Sequence, residues 1–183
     1  MTLTTPHGTS WAWRRLALPA LLCAAVFSVH LPAAAAPLGA GSTLPAFTLN
    51  DQHDKPIVIA SDTRWVLFAK EKAVSDMATA VLSSEPAGVM GRTHLVYVVD
   101  ISAMPALVTR LFALPKLREL PFSIALVREA AEVAQVADLP HQPGTATLLR
   151  LERGQIAQVA AVRSADELRR ALELGVAPAK TAP

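Results

Sequence analysis

The residues best equipped for chemistry sit where a long apolar run stops. Arg64 to Ala69 reads Arg-Trp-Val-Leu-Phe-Ala, and Lys70-Glu71-Lys72 follows at once, with Ser75 and Asp76 just beyond. Such a cluster suits an anion or a charged partner surface; its plain alternative is a solvated loop. Ser75 as a nucleophile would need a neighbouring base. None stands near it in the sequence, so Ser75 is expected to cap the next helix, with Asp76 in the first turn. Asp51, His53 and Asp54 could begin a metal site. They lack matching His or Cys spacing elsewhere, and His94 and His141 stand apart, so a polar turn is the simpler expectation. Asp100, at the end of a second apolar run, could serve as an acid or orient a ligand; capping the turn Ser102 to Pro105 is the other reading.

Thiol and dinucleotide chemistries find little support. Cys23 is the single cysteine, and it lies in an N-terminal apolar stretch. The chain has eight glycines and no Gly-x-Gly-x-x-Gly triplet after a strand; Gly39 and Gly41 precede no helix.

That N-terminal stretch has the build of a secretion signal. Arg14 and Arg15 supply a basic start, Leu16 to Val29 is interrupted only by Pro19 and Ser28, and Ala33 to Ala36 offers small residues for cleavage. Pro37 disfavours a cut after Ala36, so a cut after Ala35 is expected. The alternative is an uncleaved anchor, for which the run is short against the roughly 20 residues of a span. Trp13 before the arginine pair favours general over twin-arginine export, and Cys23 lacks the small residue that a lipoprotein signal places before its cysteine. Cleavage would leave a periplasmic chain with no cysteine and no stable membrane span. It would also take Arg14 and Arg15, so Lys plus Arg falls from 17 to 15, level with 15 acids. A neutral domain gives no reason to expect a nucleic-acid partner.

The elements that must position these residues follow from pattern. Residues 36–43 form a Gly/Ala/Ser leader, expected to be flexible. Leu44 to Leu49 reads as an edge strand because Pro45 cannot donate to a ladder, and Ile57 to Ala60 returns after a polar turn. The unalternating runs Arg64 to Ala69 and His94 to Ile101 predict strands buried on both faces. Met77, Ala80 and Val81 recur at helical spacing. So do Leu107, Val108, Leu111, Phe112 and Leu114, until Pro115 kinks or ends the helix. Trp65, Phe68, Tyr97, Phe112 and Phe122 are expected core aromatics. Phe122 to Val127 gives another strand, and Glu129 to Ala137 is open between helix and extended chain. Thr145 to Leu151 and Ile156 to Val162 flank a hairpin turn. Ser164 and Glu167 make a capping box for a last helix ending at Gly175. Residues 176–183 read as a disordered tail. The domain, 44–175, is then an α/β sandwich whose sheet is parallel in part and antiparallel at one edge.

Leu44-Pro45-Ala46-Phe47-Thr48-Leu49-Asn50-Asp51-Gln52 resembles the opening hairpin of peroxiredoxin-like and TlpA-like thioredoxin-fold proteins. Asp100-Ile101-Ser102-Ala103-Met104-Pro105 and Leu111-Phe112-Ala113-Leu114-Pro115 are similar to a group of uncharacterised exported thioredoxin-like proteins, some catalogued as "FAD/FMN-containing dehydrogenase". The resemblance implies a three-layer α/β/α sandwich with an N-terminal β-hairpin. It places the redox site at Lys70 to Ser75, where the wider family needs a thiol at a helix N-terminus and this chain has none. It also places a cis-proline loop near Pro143, Gly144 and Thr145, with Pro121 as a second candidate.

Three functions stay open on these grounds. The first is a non-enzymatic binding or accessory module contacting an envelope protein or peptide, with no cofactor. The second, implied by the resemblance, is a flavin-linked oxidoreductase. The third is a structural domain that pairs an exposed edge strand with a partner.

Overall fold

The computed structural model describes residues 37–174. The expected signal, Cys23, Gly175 and the tail 176–183 lie outside the described residues.

Seven strands form one sheet in the order β2-β1-β5-β4-β3-β6-β7. At its centre β3 (Trp65–Ala69) runs parallel to β4 (Leu95–Asp100), and β4 runs parallel to β5 (Ala125–Val127). Both flanks are antiparallel. On one side β1 (Phe47–Asn50) pairs with β5 and with β2 (Pro56–Ile59); on the other β6 (Ala146–Glu152) pairs with β3 and with β7 (Gln155–Val162). The expected single antiparallel edge is therefore two. The outer strand is β2, not the segment beginning at Leu44; Pro56 opens β2, an edge-strand start where a missing N–H costs little.

The central runs explain the layering. Along β3, Leu67 and Ala69 face one apolar cluster while Val66 and Phe68 face the other. A strand apolar on both faces must be covered twice. One cover is α1 (Lys72–Ser84), through Val74, Ala78, Val81 and Leu82, together with Leu168 and Leu172 of the α6 region (α6, Ala165–Ala171). The opposite cover includes α5 (Ala130–Val136) through Val136, then Leu139 and Leu44. Ala80, expected on the inner face of α1, is exposed. Glu129 and Glu132 form a capping box that settles Glu129 to Ala137 as a helix. In the last helix Ser164 accepts the Glu167 N–H as expected, but the Glu167 carboxylate takes the Arg163 N–H one residue beyond the cap. A short helix α2 (Val89–Thr93), absent from the sequence reading, leads into β4.

The β6–β7 hairpin turns on Arg153 and Gly154, both at positive φ (53° and 81°), the geometry of a two-residue turn that matches strand twist. The stretch expected to be a flexible leader is hydrogen-bonded. Leu38 donates to the Asp138 carbonyl, Gly41 to that of Ile156, and Thr43 bridges to Gln155.

The β1–β2 turn is polar, and its first two residues, Asp51 and Gln52, are buried. Asp51 Oδ1 accepts the N–H groups of His53 (2.7 Å) and Lys55 (2.9 Å), and Oδ2 accepts the Ser123 hydroxyl at 3.0 Å. Gln52 spans to the segment before β5, and Asp54 pairs with Arg128 at 2.8 Å. The expected polar turn thus carries a long-range latch. Burial pushes the Asp51 carboxyl up, but the three donors and the nearby His53 charge together hold it below its ordinary 3.8. A lowered pKa in the folded state stabilises the fold fully above the ordinary value, and that share is lost as pH falls through and below it. Thermal melts from neutrality down to roughly pH 3 should therefore show a steeper acid loss for the native chain than for Asp51→Asn. Equal slopes would remove Asp51 from the acid response.

Candidate functional site

The strands β3 and β4 end side by side, and their C-terminal ends open into a half-open cleft of about 600 Å³. In open α/β sheets this is where ligands collect, because loops diverge there. One wall is the start of α1, with Lys70, Lys72, Ser75, Asp76 and Thr79. The facing wall runs from Ile101 through three short helical pieces: α3 (Ala106–Val108), a π-helical turn (Thr109–Ala113) and α4 (Leu114–Arg118).

The α1 wall starts earlier than expected. Glu71 is the N-cap residue and Lys72 the first helical one, so Ser75 is inside the helix and Asp76 lies beyond its first turn. Asp76 instead takes the Lys72 ammonium at 2.5 Å, an i,i+4 pair on the surface. Ser75 is held from below. The Tyr97 hydroxyl lies 3.0 Å from the Ser75 carbonyl and 3.1 Å from Ser75 Oγ, with Thr79 at 3.5 Å. Burial pushes the Tyr97 phenol above its ordinary 10, only partly offset by Ser75 and Thr79, so it stays a donor. Among the described residues Ser75 therefore hydrogen-bonds a phenol and no base of the kind that activates a serine nucleophile.

Asp100 is buried at the cleft floor. Its Oδ1 accepts the Ser102 N–H (2.9 Å) and hydroxyl (2.6 Å), the turn-capping role, while Oδ2 faces the Lys70 ammonium at 3.8 Å. Glu71, which also lines the cleft, reaches to the loop before β6: its Oε1 accepts the Gly144 N–H at 2.9 Å, with His141 Nε2 at 3.9 Å. The two predicted site segments thus meet through Glu71 and Gly144, but Pro143, Gly144 and Thr145 stand outside the cleft lining. No peptide bond among the described residues is cis, so neither Pro143 nor Pro121 takes the form considered for it.

The apolar wall was not foreseen as a site. Phe112 is expected in the core, yet it is 69% exposed, as are Leu107 (69%) and Leu111 (58%) of the same helical run. The reason is helical phase. In the wide turn the Leu114 N–H bonds the Thr109 carbonyl five residues back, and Pro115 has no N–H to continue an α ladder. The buried residues of this segment are accordingly Thr109 and Leu114, five apart, not a set at α spacing. Other cleft residues missed by the sequence reading are Met104, before α3, and Lys116 and Leu120, beyond the wide turn. Pro115 just behind an apolar helical run was the one available signal.

No protein-family model matches the chain, and no curated protein matches it. Solved structures do. The peroxidoxin BcpB of Mycobacterium tuberculosis superposes with a TM-score of 0.50 at 16% identity, covering 75% of this chain and 96% of that one. The thioredoxin domain of a thiol-disulfide oxidoreductase from Bacteroides vulgatus does so with a TM-score of 0.52 at 14% identity, covering 74% and 96%. Sheet order, layering and these likenesses agree: the chain has a thioredoxin-like fold with a mixed sheet.

Proposed function

We propose that this domain is an exported, non-enzymatic binding module of the cell envelope, and that the cleft between α1 and the α3–α4 segment receives part of a partner protein. The observation that carries this reading is the composition of the cleft. Where a dithiol fold needs cysteine at a helix N-terminus, this chain has Lys70, Glu71 and Lys72, and the facing wall is apolar and solvent-exposed. On the α1 side and the floor the polar groups have partners: Lys70 faces Asp100, Lys72 holds Asp76, Ser75 meets Tyr97 and Glu71 holds Gly144, an arrangement that shapes a surface. The flavin-linked alternative gains no phosphate-binding glycine turn among the described residues.

The test is occlusion. Ala103 is exposed and lines the cleft, so Ala103→Trp adds bulk there without disturbing the core. The native chain and this variant would each be used to capture proteins from an envelope extract, with circular dichroism as the folding control. A partner recovered by the native chain and lost with Ala103→Trp is expected. Identical recovery by both would remove the cleft from the binding surface.

A further inference from the structure

We propose that the partner segment is apolar and acidic: it lays large apolar side chains along the α3–α4 wall and sets carboxylates against Arg110 and Lys116. This rests on the cleft being the binding surface and adds the chemistry of what occupies it. Among the described residues five large apolar side chains are exposed, and four of them are Leu107, Val108, Leu111 and Phe112. Apolar side chains gathered in one exposed patch mark an interaction surface.

The patch also limits the size of its occupant. Val108 and Phe112 line the cleft; Leu107 and Leu111, each one residue before a lining residue and so turned to the next face of the same short rod, do not. A small molecule seated in the cleft would leave both outer leucines in water. A polypeptide segment that drops one anchor into the cleft and continues over its rim covers all four. A lipid surface would cover the rim but leave the concave floor unfilled.

Charge fixes the sign. The acids around the cleft already have partners: Asp100 holds Ser102 and faces Lys70, Asp76 holds Lys72, and Glu71 holds Gly144. On the α3–α4 segment, Lys116 in the cleft lining and Arg110 outside it make no ion pair among the described residues. Their unmatched charge favours an acidic partner and repels a basic one.

Fluorescence anisotropy of the full chain with two labelled synthetic peptides tests this. One carries Leu and Phe at helical spacing with Glu between them; the other has Lys in place of every Glu. The acidic peptide should bind, and the basic one should bind about tenfold or more weakly. Phe112→Ser should weaken the acidic peptide by about thirtyfold as a lost anchor. Arg110→Glu with Lys116→Glu should reverse the preference between peptides. These side chains are exposed, so the melting temperature should not move; if Phe112→Ser misfolds, the charge reversal still decides. Equal affinity for both peptides, affinity untouched by the charge reversal, or tighter binding to anionic phospholipid vesicles than to the acidic peptide would each overturn the proposal. Failure of the acidic peptide while Ala103→Trp still loses a captured partner would overturn this chemistry and leave the cleft standing. Failure of both would remove the cleft as well.

Discussion

Replacing Gln52 by alanine should cost about 2–4 kcal/mol and lower the melting temperature by roughly 10 °C. Gln52 is 1% exposed, and both ends of its amide are used. Nε2 donates to the Phe122 carbonyl at 2.8 Å, and Oε1 accepts the buried Ile124 N–H at 2.9 Å. Truncation strands the buried Ile124 N–H and unpairs the half-buried Phe122 carbonyl, about 1–3 kcal/mol for a buried unpaired group, and leaves a void. Gln52→Met separates the two causes, since it keeps the volume and loses both bonds. Chemical denaturation should place the methionine variant close to the alanine one. A methionine variant as stable as the native chain would show that packing, not the latch, carries the effect.

The second large effect is a gain of chemistry. Glu71→Cys with Val74→Cys, in a Cys23→Ser background, sets a Cys-x-x-Cys pair with its first thiol at the N-cap of α1. The helix N-terminus stabilises a thiolate, so that thiol should titrate near about 7 instead of the ordinary 8.5. Reduction of a protein disulfide by dithiothreitol should then be accelerated by the variant and not by its Cys23→Ser parent. The graft gives up the Glu71 bond to Gly144 and trims a buried valine, so some loss of stability accompanies it. A thiol titrating as free cysteine would mean that the scaffold no longer supplies the field such chemistry requires.

Much of the framework was legible because its causes are local. The unbroken apolar runs at Trp65 to Ala69 and Leu95 to Asp100 could only be strands covered twice, and Arg153-Gly154 between two strands could only be a tight turn. Helix ends were harder where no side chain marks them. Glu71 caps α1 without a side-chain hydrogen bond, so Ser75, the better capping residue by type, drew the expected start too late. Long-range partners were invisible. Nothing near Asp51 or Gln52 in sequence announces Ser123 or Ile124 about seventy residues on. The cleft wall was misread for a geometric reason, because periodicity arguments assume 3.6 residues per turn and the segment from Thr109 to Ala113 is wider.

That widened segment also bears on how relatives of this chain could diverge. A descendant lacking one residue between Thr109 and Ala113 could close the loop of backbone to ordinary pitch, with both neighbouring strands unmoved. Leu114, now one wide turn of five residues from Thr109, would then sit one ordinary turn of four residues away, so it and the chain beyond would keep their bearing while the residues inside the turn were re-aimed. Phe112 would point elsewhere and a different part of the rod would meet the visitor. Recognition here can thus be retuned by an indel, through rotational phase alone, with no substitution in the sheet beneath.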